Sequence, residues 1–184
     1  MKLSLLAILL GVGFALPQLY AFANPQKFVA SVRAFPRNLP IGIFLMLLGT
    51  AWFVWNVNRE PVSDFAAYKS AMMTAFAGIG ILSCFFVQDF LAARGLAVVF
   101  LLLAKAMLDT GRPHLGESPW VLVIQVWAYV LVIAGIYFTI SPWRLRDFLN
   151  FMTATQARVK IGSAIRLSFA IFVVILGLTA FRAM

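Results

Sequence analysis

Apolar residues fill this chain in long runs, broken by short stretches that hold proline, charge or amide side chains. A helix needs about 20 apolar residues to cross the hydrocarbon core of a bilayer. Six runs come close to that length: residues 3–23 with Pro17 inside, 41–57 opened by Pro40, 71–87, 90–108, 120–140 and 161–181. Residues 71–108 are too long for one span and suit two spans joined by a tight turn. Gln88-Asp89 is the polar break between them, and Asp89 is placed to cap the fourth helix by accepting from a free backbone N–H. Arg94 follows one turn later and can snorkel back to the headgroups.

Two of the breaks carry a different pattern. Asn24-Pro25 sets a capping residue before a proline at the first helical position. Phe28, Val32 and Phe35 follow at spacings of four and three, with Lys27 and Arg33 among them, and Pro36 ends the series. Ser141-Pro142 repeats the start signal ahead of Phe148, Phe151, Met152 and Thr155, with Arg144, Arg146 and Arg158 for the polar side. Residues 25–35 and 142–158 therefore read as two short amphipathic helices lying in the interface, apolar face inward and cations at the headgroups. The expected architecture is all-α. It is one polytopic membrane domain over 1–184, a bundle of about six transmembrane helices with two interfacial helices.

Composition sharpens this reading. Of 184 residues, 63% are hydrophobic and 11% charged, against about 25% charged in soluble domains. Lipid is the solvent that makes such a chain stable. The net charge of +9 would suggest nucleic acid in a soluble protein. Here the cations stand in short loops, so nucleic acid is excluded as a partner and the bilayer, with its anionic headgroups, is expected instead. Lys27, Arg33, Arg144, Arg146 and Arg158 are the expected headgroup contacts. Cys84 is the single cysteine. It excludes an internal disulfide and a thiolate metal site, and reads as a small buried apolar residue.

Charge also bears on orientation. With six spans, one side carries Lys27, Arg33, Arg37, Arg94, Arg144, Arg146, Arg158 and Lys160. The other carries Lys2, Arg59, Lys69, Arg112 and Arg182, together with the acids Glu60, Asp64, Asp109 and Glu117. The positive-inside rule puts the first set in the cytoplasm and both termini outside. The first run, ending Ala21-Phe22-Ala23, also has the form of a cleavable signal peptide. Cleavage would reverse the side of the Lys27–Arg37 loop, so the charge balance favours a retained helix. The expected location is a cell membrane, of the bacterial inner-membrane kind.

Polar residues at membrane depth are the places to look for chemistry. Lys105 and Asp109, four apart, share a helix face near a helix end. Gln125 lies about one turn into the fifth span and is placed to bond a neighbouring helix, an interaction worth roughly 0.6 kcal/mol. These three are the candidate intramembrane polar site. Arg112, His114 and Glu117 share one loop and form the best acid–base cluster, so they are the candidate catalytic residues. Arg166 lies one turn into the sixth span, where snorkelling accounts for it.

Several chemistries are excluded. No HExxH, GxSxG or Walker pattern is present. One histidine cannot supply a bis-histidyl haem, and neither a metal nor a cofactor is expected. Lipid-headgroup transferases place paired aspartates around an Ala-Arg; here Ala93-Arg94 lacks the preceding Asp-Gly, and Leu103 and Met107 replace the later Gly and Asp. Three functions stay open. The first is a non-enzymatic anchor, assembly factor or accessory subunit that contacts other membrane protein subunits. The second is a small transporter or channel for a solute, ion or lipid. The third is a lipid-modifying enzyme using Arg112, His114 and Glu117.

Overall fold

The computed structural model describes residues 2–60 and 66–182; Asp64, counted above among the acids, lies outside them. Among the described residues there are eight α-helices and no strands. In chain order they are α1 (Leu3–Ala23), α2 (Pro25–Ala34), α3 (Leu39–Arg59), α4 (Lys69–Phe86), α5 (Leu91–Gly111), α6 (Val121–Ile140), α7 (Trp143–Met152) and α8 (Gln156–Leu178). The fold is all-α, and α1, α3, α4, α5, α6 and α8 are long and apolar enough to cross a membrane. That is the architecture of a multi-pass membrane protein.

Local chemistry explains where the boundaries depart from the sequence expectation. The second span begins at Leu39 because the Asn38 side chain accepts from the Ile41 N–H at 3.1 Å, an N-cap that satisfies one of the free donors of the first turn. Asp89 does not cap the fourth span. The turn is made at Phe90, whose φ of 54° is left-handed; its carbonyl accepts from Arg94 N at 3.1 Å, and the helix starts at Leu91. A bulky side chain in that region is strained, and the Arg37 guanidinium lies 5.4 Å from the Phe90 ring centroid, a cation–π contact that offsets part of the cost.

The second surface segment stops at Met152 rather than 158, and the sixth span starts at Gln156 rather than 161. Thr155 is the cause. Its hydroxyl accepts from Arg158 N at 3.2 Å and caps α8, which hands Arg158 and Lys160 to the spanning helix. The segment expected over 25–35 forms α2, which ends at Ala34 before a 3-10 turn over Phe35–Arg37. Pro17 is accommodated within a continuous α1.

The chain divides into two compact units. Unit 1 comprises Met1–Arg33, Leu103–Leu131 and Arg146–Met184. Its spine is α1 against α8. Gly11 faces Ala170 and Val174, while Gly177 faces Ser4, Ala7 and Ile8. The rising numbers of one helix meet the falling numbers of the other, so the two run antiparallel. Small residues at both crossing points bring the backbones together, the means by which helices associate when the solvent is as apolar as they are. Phe14, Trp127 and Phe169 meet where α1, α6 and α8 converge, with ring centroids 5.3 Å apart for Phe14–Trp127 and 5.2 Å for Trp127–Phe169.

Unit 2 comprises Ala34–Leu102 and Val132–Leu145. Gly42 packs on Leu91 and Ala92, and Gly95 packs on Leu45 and Met46, so α3 and the first half of α5 run parallel in close backbone contact. Gly80 sits against Thr50, and the Phe53 and Phe76 rings stack edge to face at 4.9 Å, which sets α4 antiparallel to α3. Met46, Cys84 and Leu91 form a buried cluster in this unit.

Candidate functional site

The polar groups of unit 1 gather in two places. The first is the seam between α1 and α8. Gln18 is 5% exposed, and its Oε1 accepts from the Arg166 Nε–H at 3.0 Å. The amide's own nitrogen reaches back to Phe14 O at 3.5 Å, a marginal bond. Pro17 directly precedes Gln18 and brings no N–H of its own, so this stretch of α1 holds a concentration of polar backbone and side-chain groups. Ser163, one turn before Arg166, is 1% exposed, and its hydroxyl has no hydrogen-bond partner. The Arg166 side chain leans back along α8: a Cβ built on Gly162 would lie 3.4 Å from Nη2 and 3.6 Å from Nη1.

Below this seam α2 is tied to the turn between α7 and α8. Arg33 donates from Nε to Thr153 Oγ1 at 3.0 Å and from Nη2 to Thr153 O at 2.7 Å. Thr153 Oγ1 donates in turn to Leu149 O at 2.8 Å. Arg33, expected at the headgroups, is exposed and also makes this intrachain fork. Arg158 donates to Phe151 O at 3.4 Å and lies 4.6 Å over the Phe151 ring. Arg146 bonds its neighbour Asp147 at 2.8 Å. Lys27 and Arg144 are exposed.

The second place is the end of α5 and the start of α6. Lys105 and Asp109 form the expected i,i+4 ion pair at 2.5 Å, with both side chains substantially exposed. Gln125 is 6% exposed, but its Nε2 has no hydrogen-bond partner, contrary to the interhelical bond expected of it. It packs instead on Gly111, where a Cβ would stand 2.6 Å from Nε2. Gly111 ends α5, and its bareness makes room for the amide. In the following loop His114 Nδ1 and Glu117 Oε2 are 2.8 Å apart. Arg112, in the same loop, is exposed and takes no part in that pair. Among the described residues no three His, Cys, Asp or Glu side chains are grouped closely enough to hold a metal ion. In unit 2, Cys84 is buried and its thiol points to Gly80 O at 3.5 Å, while Arg94 Nε is buried without a partner.

Sequence reasoning missed the Gln18–Arg166 bond and the Arg33–Thr153 fork. Both partners of the first were visible as polar residues in apolar runs, Gln18 five residues before the end of α1 and Arg166 eleven residues after the α8 cap. No local pattern links them. No family model matches the chain, and neither a curated protein nor a solved structure matches it.

Proposed function

We propose that the chain is a non-catalytic component of a membrane assembly, an anchor, assembly factor or accessory subunit, seated in a cell membrane of the bacterial inner-membrane kind. The observation that carries this reading is Gln125. A transport path needs hydrated polar groups converging at depth. The Gln125 amide instead lies buried against the Gly111 backbone, and no polar side chain of the described residues converges on its nitrogen. The acid–base candidates fit the same reading. His114 and Glu117 satisfy each other in a surface loop, without Arg112. Lys27 and Arg144 contact anionic headgroups, and the cation-rich loops face the cytoplasm.

The test has two arms. Extracted in mild detergent, the full chain migrates in an assembly larger than itself, and cells lacking the chain lose that assembly. In parallel, a cysteine at position 125 on a Cys84→Ala background stays unreactive to a water-soluble maleimide. A monomeric chain with a reactive cysteine at 125 defeats the proposal in favour of a transporter.

A further inference from the structure

Arg158, Gly162 and Arg166 lie at i, i+4 and i+8 on α8 and share one face of the helix. A groove of about 260 Å³ opens on that face, lined by Phe151, Met152, Arg158, Ile161 and Gly162. The Arg166 guanidinium, leaning back one turn, stands over Gly162, which lines the groove. Arg158 is part of the lining and lies over the Phe151 ring. Arg166 spends its Nε on Gln18, which fixes the plane of the guanidinium. Neither Nη group of Arg166 has a protein hydrogen-bond partner among the described residues. Asp147 is the only carboxylate between residues 141 and 182, and it is engaged with Arg146. The groove therefore has one cation in its lining and a second beside it, no counter-ion among the described residues of α7 and α8, and an apolar floor.

Depth identifies the ligand's class. The apolar part of α8 begins near Ile161, and Arg166 lies five residues further in, about 8 Å at 1.5 Å per residue. Folding back over Gly162 returns its guanidinium about 6 Å toward the helix start, to the boundary between acyl chains and headgroups. Guanidinium forks match phosphate oxygens bidentately. Phe151, Met152 and Ile161 offer an acyl chain the surface that a free anion would not use. We propose that this groove binds an anionic phospholipid, with its phosphodiester between Arg158 and Arg166 and an acyl chain along Phe151, Met152 and Ile161.

The test uses the full chain in nanodiscs that mix phosphatidylglycerol with phosphatidylcholine, released into native mass spectrometry to read which lipid stays bound. The wild type retains phosphatidylglycerol in preference to phosphatidylcholine. Arg166→Gln also breaks the bond to Gln18 and can unfold the seam, so the deciding variants are Arg158→Gln and Gly162→Leu. The first removes one cation with the seam bond intact, and the second fills the groove floor beneath the Arg166 guanidinium. Each lowers phosphatidylglycerol retention by about tenfold, equivalent to ~1.4 kcal/mol, while helicity is unchanged. Four outcomes overturn the proposal. The wild type shows no preference between the two lipids; both variants retain phosphatidylglycerol as the wild type does; or an excess of inorganic phosphate displaces the lipid completely, which makes the site one for a free anion. An acidic protein segment crosslinking to position 162 in place of lipid overturns it as well.

Discussion

Two glycines on one helix, two residues apart, put the helix-packing argument to a sharp test. At Gly11 an added Cβ would lie 2.5 Å from Val174 Cγ2, 2.9 Å from Ala170 O and 3.1 Å from Val174 N. At Gly13 it would meet nothing within 4 Å. Val174 can turn its side chain aside, but the Ala170 carbonyl is backbone and cannot. Carbon needs about 3.5 Å to sit at the bottom of the dispersion well, so α1 and α8 must part by roughly half an ångström. Inserting a methyl into a close-packed site costs about 1–3 kcal/mol. Helix propensity favours alanine over glycine by up to ~1 kcal/mol at either position, and this term cancels when Gly11→Ala is compared with Gly13→Ala. The difference between the two variants is then the overpacking cost alone, about 1–3 kcal/mol. The assay is unfolding in mixed micelles with rising dodecyl sulfate, followed by helical circular dichroism. Gly11→Ala unfolds at clearly lower dodecyl sulfate than Gly13→Ala, which matches or exceeds the wild type. Adding Val174→Ala to Gly11→Ala recovers only part of the loss, because the Ala170 carbonyl remains. Equal midpoints for the two single variants refute the close approach of α1 and α8.

Three further expectations follow from contacts elsewhere. In unit 2, Gly80→Ala drives a methyl into the Thr50 side chain, whereas Gly78→Ala meets open space; thermal melts in detergent show the first destabilised by about 1–3 kcal/mol and the second unchanged or slightly stabilised. Gln125→Met removes the unsatisfied buried amide nitrogen at nearly constant shape, so stability rises by about 1 kcal/mol in the same unfolding assay; a loss instead reveals a polar partner for Gln125. Arg33→Lys cannot reproduce the two-pronged bond to Thr153, so hydrogen exchange at residues 153–155 accelerates. Thr153→Ala keeps the carbonyl acceptor and accelerates exchange less.

The spans were legible because their signal is additive. Each long apolar run points to a helix by composition, whatever its neighbours do, and six such runs became six helices. Their ends were legible only where a cap could be read. Asn38 and Thr155 both carry N-cap chemistry, yet Pro40 and hydropathy point to Ile41, and hydropathy to Ile161, both inside the helices that those residues open. Phe90 defeated the reading at Asp89 for another reason. A capping acid is a common local device, whereas a left-handed phenylalanine is held by Arg37, fifty-three residues away in sequence, which no window can see.

The polar seam was illegible for a deeper reason. A soluble helix advertises its buried face by where its polar residues fall. A membrane helix is apolar all round, so sequence period does not say which face meets which helix. Gln18 and Arg166 each looked like an isolated concession to the headgroup region. They become a pair only once Gly11 and Gly177 set the antiparallel register of α1 and α8. The register rests on small residues, whose meaning is to permit approach rather than to name a partner. Two tolerant signals thus fix one specific bond, and that bond orients a cation over an apolar groove. In a chain of this composition the glycines decide where the few charged groups end up.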